Sequence, residues 1–176
     1  MLKTIFALAL LATLAHPGSV AAQQPAPTNP LDVVPDKMPF NTPYGAPVSL
    51  ARAQAVIAAA IAEAEKHGWA LNVAVVDSGA NLVAFARMDA AQYASIAISE
   101  HKARAAVTFR RPTRICEDAV QLKDFKYVLS LDGAIASRGG LPLIEDGKLI
   151  GAVGCSGGTG SQDEATCAAA AATINK

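Results

Sequence analysis

The sequence predicts an α+β fold with an antiparallel sheet. Two apolar runs are joined by the polar link Asp77-Ser78-Gly79-Ala80-Asn81, a second pair flanks Asp146-Gly147, and Ala-rich helical stretches lie before, between and after them. Links this short and Gly-containing make hairpins, whereas parallel strands need a long crossover.

Taken in order, Ser49 is a helix N-cap ahead of a stretch reaching about Lys66, with Gly68 placed to end it and an apolar stripe that includes Leu50, Val56, Ile57 and Ile61. Ala70 to Val76 and Leu82 to Met88 are the first two strands, both expected to be buried on both faces. A second helix covers Tyr93 to Thr108, with Glu100 and Arg104 at the supporting i, i+4 spacing. Pro112 interrupts it and opens a short third helix, Thr113 to Gln121. Phe125 to Ser137 has no decisive period. Leu141 to Glu145 and Lys148 to Cys155 form the second hairpin. Ser161-Gln162-Asp163-Glu164 fits a capping box for a last helix reaching about Ile174.

Ahead of the domain, Lys3, an apolar run of about eleven residues from Ile5 to Ala15, His16-Pro17-Gly18 and Val20-Ala21-Ala22 have the layout of a secretory signal. The run falls well short of the roughly 20 residues that cross a bilayer. Cleavage is expected between Ala22 and Gln23, leaving an exported chain, periplasmic or secreted, with no integral membrane segment. Seven of the ten prolines lie between Pro25 and Pro47, so residues 23–48 are read as an extended arm that Phe40 and Tyr44 can pin to the domain or to a neighbouring subunit. Residues 49–176 are the domain.

Loss of Lys3 leaves 14 basic against 15 acidic residues, which gives no electrostatic footprint for nucleic acid. Cys116, Cys155 and Cys167 form no CxxC or CxxCH spacing, so neither a c-type haem attachment nor a thiol-exchange motif is indicated. Strand and helix residues this deep are often too far apart to bridge. All three are therefore expected to be free thiols, Cys155 and Cys167 in the core and Cys116 partly accessible. The apolar, Ala-rich helices point to self-association, at least to a dimer.

An ordered series of motifs then carries a resemblance. It runs through Val73-Ala74-Val75-Val76-Asp77 with Gly79, Arg87-Met88-Asp89, Lys102-Ala103-Arg104-Ala105-Ala106, Phe109-Arg110-Arg111-Pro112-Thr113 and Gly139-Gly140-Leu141-Pro142. It ends with Asp146-Gly147, Ile150-Gly151-Ala152-Val153-Gly154-Cys155-Ser156-Gly157-Gly158 and Gln162-Asp163-Glu164. Over residues 49–174 the chain resembles the GlcG/HbpS family, to which the C-terminal part of PduO-type proteins is similar. The resemblance implies a profilin-like fold, a five-stranded antiparallel sheet packed between helices, often in oligomers. It also implies haem, or a cobalamin-type tetrapyrrole, as a small-molecule ligand. Two positions depart from the pattern. The acid pair three apart on the second helix is represented by Glu100 but by Ala97 three earlier, and the threonine before Gly-Gly is absent from Asp132-Gly133-Ala134-Ile135-Ala136-Ser137.

A haem site needs a flat apolar slot, an iron ligand and cations for the propionates. His101 beside Glu100 supplies an imidazole and a carboxylate for a metal. Lys102, Arg104, Arg110, Arg111, Thr113 and Arg114 supply a basic cluster at a helix start, expected to border a slot between the Tyr93–Thr108 helix and the sheet. His67, Met88 and Tyr93 are secondary possibilities. Gly157 and Gly158, in a glycine-rich strand-to-helix loop, can present N–H groups to an anion, but the loop lacks the Lys of a P-loop. Ser156 is in no GxSxG, and Asp77, Asp89, Asp132 and Asp163 are explained equally well by turns and caps. Two other readings stay open: an enzyme or enzyme accessory acting on a small organic acid through the glycine loop, Lys102 and Arg111, and a scaffold without a ligand.

Overall fold

The computed structural model describes residues 35–175. The expected signal segment, its cleavage site and the first part of the arm lie outside the described residues. The element order is α1 (Leu50–His67), β1 (Asn72–Asp77), β2 (Leu82–Arg87), α2 (Ala94–Thr108), α3 (Arg114–Gln121), a 3-10 turn over Lys126–Ser130, β3 (Gly140–Glu145), β4 (Lys148–Ser156) and α4 (Gly160–Ala171). Every strand pair is antiparallel and the sheet order is β2-β1-β4-β3. The class is the expected α+β, with four strands among the described residues instead of five. In place of a fifth, the end of the arm joins β4 by a single parallel bridge, Tyr44 to Leu149, with Gly45 N–H on Leu149 O and Leu149 N–H on Pro43 O, each 2.8 Å. From Gly151 to Gly154, β4 is already paired with β1 on one side and β3 on the other, which stops the arm from adding a longer ladder.

The sheet divides two cores. Val73 and Val75 of β1 and Val153 and Cys155 of β4 face α1 and α4; Ala74, Val76, Leu149 and Ala152 face α2. This period-2 division explains why β1 is buried on both faces, as expected. β2 is not: it is an edge strand, and its residues are half-buried or exposed. Helix α1 begins at Ser49, whose hydroxyl accepts from Arg52 N–H, and ends at Gly68 in the left-handed conformation. Its buried face is Ala53, Val56, Ile57, Ala60 and Ala64, with Leu50 exposed, so alanines set the close approach to α4. The capping box lies two residues before the expected one. Thr159 caps Gln162 N–H, and Gln162 returns the bond to Thr159 N–H.

Gly140 and Gly154 stand opposite each other in the β3–β4 register. A Cβ at Gly154 would overlap the Ser99 carbonyl oxygen, and one at Gly140 would overlap that of Lys102. With Ser95, Ser99, Ala103 and Ala106 buried beneath it, α2 therefore lies with its backbone directly on the sheet. Where α2 lies on Gly140 and Gly154, this contact leaves no room for the slot expected between α2 and the sheet.

Cys155 and Cys167 form a disulfide, contrary to the expectation of free thiols, with Cα atoms 5.7 Å apart. The loop after β4 is short enough that α4 doubles back over its own strand, which brings Cys167 onto Cys155. Cys116 is free and buried, not partly accessible. No helix among the described residues is long and apolar enough to cross a membrane.

Candidate functional site

Lys102 is 1% exposed and its ammonium meets Asp163 Oδ2 at 2.7 Å and donates to Cys155 O at 3.2 Å. The ion pair joins α2 to the first turn of α4 past the ends of β3 and β4. Gly139 makes room for it: a Cβ there, at φ 111°, would come 3.1 Å from Lys102 Nζ and 2.8 Å from Asp163 Cβ. Burial pushes the Asp163 carboxyl above its ordinary range, opposed by the Lys102 ammonium and by the backbone N–H groups of Gly158 and Gly157. Of these groups, the pattern of residues singled out Lys102 and the glycines, and placed Asp163 only as a cap.

The glycine-rich loop is occupied from within. Gly158 N–H donates to Asp163 Oδ1 at 3.0 Å, and Thr159 N–H to Gln162 Oε1 at 2.8 Å. A Cβ on Gly157 would crowd Ala70 O at 2.5 Å, so this glycine permits chain packing. Thr113, 1% exposed, is likewise engaged: its Oγ1 accepts from Gly140 N–H at 3.0 Å and its own N–H donates to Gly140 O at 2.9 Å. It closes the outer edge of β3.

The expected arginine cluster is dispersed. Arg104 is exposed and pairs with Glu100 at 2.9 Å along α2. Arg114 reaches Asp118 and Glu164, and joins a network with Arg138 and Glu117 that ties α3 to α4. Arg110 lies over the Tyr44 ring and Arg111 over the Phe40 ring, 3.9 Å from its centroid. His101 is exposed and its Nε2 is 3.2 Å from Gly133 O. Among the described residues, no group of three or more His, Cys, Asp or Glu is placed to hold a metal. His67 stacks on Trp69 at the end of α1, and Tyr93 is exposed beneath Arg87.

The structure does contain a slot, on the far side of α3. It has a volume of about 370 Å³ and is walled by Phe40, Phe109, Ile115, Phe125, Tyr127 and Val128, with Arg111 and Lys123 as its cations and the Cys116 thiol among its lining groups. Burial raises the Cys116 pKa, with the Arg111 charge opposing. Arg111 Nε donates to Phe109 O at 2.9 Å, which holds the guanidinium between Phe40 and Phe109. Leu131 also borders the slot, two residues before the carbonyl that meets His101. Sequence reasoning found Arg111 but missed the walls, because they come from the arm, α3 and a stretch with no periodicity. Aromatic clustering at Phe109, Phe125 and Tyr127 was the available signal.

The model of a family described as haem degrading protein HbpS-like matches residues 48–172. Protein GlcG of Escherichia coli K12 is 40% identical over 104 residues, 59% of this chain and 77% of GlcG. The crystal structure of protein ORFY of Klebsiella pneumoniae superimposes with a TM-score of 0.67 at 32% identity, covering 81% of this chain and 97% of ORFY. That of a PduOC:haem complex gives 0.65 at 29% identity, covering 73% of this chain and 96% of PduOC. The matched span contains all four helices, all four strands and every wall of the slot except Phe40, and the chain therefore belongs to the HbpS-like family.

Proposed function

We propose that this protein binds haem or a related tetrapyrrole in the slot beside α3. The observation that carries the reading is the slot's composition: flat aromatic walls with two cations among the lining residues, in a chain whose family relatives include a haem complex. The residues fit the group. Phe109, Phe125 and Val128 offer the apolar faces that a macrocycle needs, Arg111 and Lys123 the charges for carboxylates, and Cys116 and Tyr127 the lining donors suited to iron. Bound haem would supply redox and ligand-exchange chemistry. The protein's own contribution is to bury the ring, orient its carboxylates and exclude water.

The organic-acid reading has less support, since the glycine loop's N–H groups at Gly158 and Thr159 are already bonded to Asp163 and Gln162. Export and self-association belong to the proposal too. A disulfide between Cys155 and Cys167 suits an oxidising compartment, and light scattering of the mature chain is expected to give at least a dimer. Titration of haemin into the protein tests the ligand: a saturable Soret shift that Phe109→Ala weakens and Glu65→Gln leaves unchanged supports the slot. A linear, unsaturable response refutes haem binding, and loss with His101→Ala but not Phe109→Ala moves the site to the outer face of α2.

A further inference from the structure

We propose that Phe40 is a specificity-determining wall of the slot, carried there by the proline-rich arm. The inference rests on the slot being the ligand site and deepens that reading. Phe40 lies outside residues 48–172, the span matched by the family model, yet it lines the cavity together with residues of α3 and the 3-10 turn. Its ring covers one face of Arg111 while the Phe109 ring lies 5.9 Å away. The guanidinium is thus clamped by an arm residue and a domain residue.

Residues 42–48, the end of the arm, are attached firmly enough to present such a wall. Tyr44 OH donates to the last carbonyls of α2, Val107 O at 3.1 Å and Thr108 O at 3.2 Å, and Val48 N–H donates to Ile150 O at 2.8 Å. Arg110 Nη1 reaches Thr42 O at 3.5 Å. Phe40 and Arg110 both have positive φ, 55° and 53°. A bulky residue keeps that backbone only where its surroundings impose it, and here the imposed turn aims the ring at Arg111. An aromatic wall stacked on the slot's cation, beside Phe109, Phe125 and Tyr127, favours flat ligands over globular apolar ones of equal size.

Cys116 lines the same slot and is the free thiol, so it reports on the wall without any ligand. In the full mature chain, its reaction with dithiobis(nitrobenzoate) is expected to accelerate about tenfold or more in Phe40→Ala, since access to a buried thiol follows the opening of what covers it. Phe40→Leu should fall between, and Met38→Ala, at an exposed neighbour, should react like the parent. Saturating haemin and metal-free protoporphyrin should each protect the thiol, less well in Phe40→Ala. Equal thiol rates in the parent, Phe40→Ala and Phe40→Leu would overturn the wall whatever the ligand does. Acceleration without protection by either porphyrin keeps the wall and overturns the haem reading at this slot. Protection that is equally strong in the parent and Phe40→Ala overturns the specificity role.

Discussion

Replacing Lys102 by Met removes one member of a pair whose side chains are 1% and 4% exposed. Asp163 would stay behind, buried, with only backbone N–H groups to meet its carboxyl. Breaking a buried pair from one side costs about 3–5 kcal/mol, because the surviving carboxyl must either hold an uncompensated charge or take up a proton. For a domain of this size that corresponds to a fall of roughly 10–15 °C in Tm. The pH dependence has a definite sign. The Asp163 carboxyl already lies above its ordinary range through burial, so its contribution to stability is greatest where it is protonated and is lost as pH rises through its folded value. Without Lys102, burial acts unopposed by the ammonium and raises it further. The defect should therefore be largest near neutrality and shrink as the solution is made acid. Urea unfolding followed by circular dichroism, with the disulfide intact, measures it at each pH. Lys102→Met/Asp163→Asn should recover at least about half of the loss, since a neutral amide oxygen still accepts from Gly158 and no buried charge remains. A loss below about 1 kcal/mol at neutral pH, or a defect that grows on acidification, would refute the reasoning.

Thiol titration of unreduced, denatured mature protein should find one free thiol, Cys116; reduction of the bond between Cys155 and Cys167, 12 residues apart, should cost about 2–3 kcal/mol in the same unfolding assay. Gly154→Ala forces a methyl into the Ser99 carbonyl, and a loss of about 1–3 kcal/mol or more is expected from thermal melts. Gly147→Ala, at φ 72° in the second hairpin turn, should cost about 1 kcal/mol without altering haemin affinity.

Local signals carried the fold well. Ser49 and Gly68 bound α1, and Asp146-Gly147, both at positive φ, make the β3–β4 turn their sequence advertises. Errors arose where the answer lay in distant partners. Burial of β2 could not be judged from its apolar run, because edge or centre depends on strand order. The number of strands depended on whether a proline-rich arm pairs with β4, and the disulfide on the path of α4 over its own strand. Lys102 was picked out as a site residue, but its partner Asp163 lies 61 residues on. The basic cluster failed for a related reason: Arg110, Arg111 and Arg114 fall within five residues of sequence, yet the turn at Arg110 sends them to three different sets of partners.

The outer edge of β3 is almost fully spoken for. Thr113 takes both groups of Gly140, Pro142 has no N–H to offer, and Asn175 donates to Pro142 O at 3.0 Å and accepts from Ile144 N–H at 2.6 Å. Among the described residues, the opposite edge at β2 has no strand beside it. Any strand pairing between two copies would then use β2 on both, a like-with-like contact about a two-fold axis that would join two sheets into one and leave only the capped β3 edges outside. A sheet closed off in this way would offer a third copy almost no free rung, so the capping of one strand by a threonine and an asparagine would work against open-ended stacking.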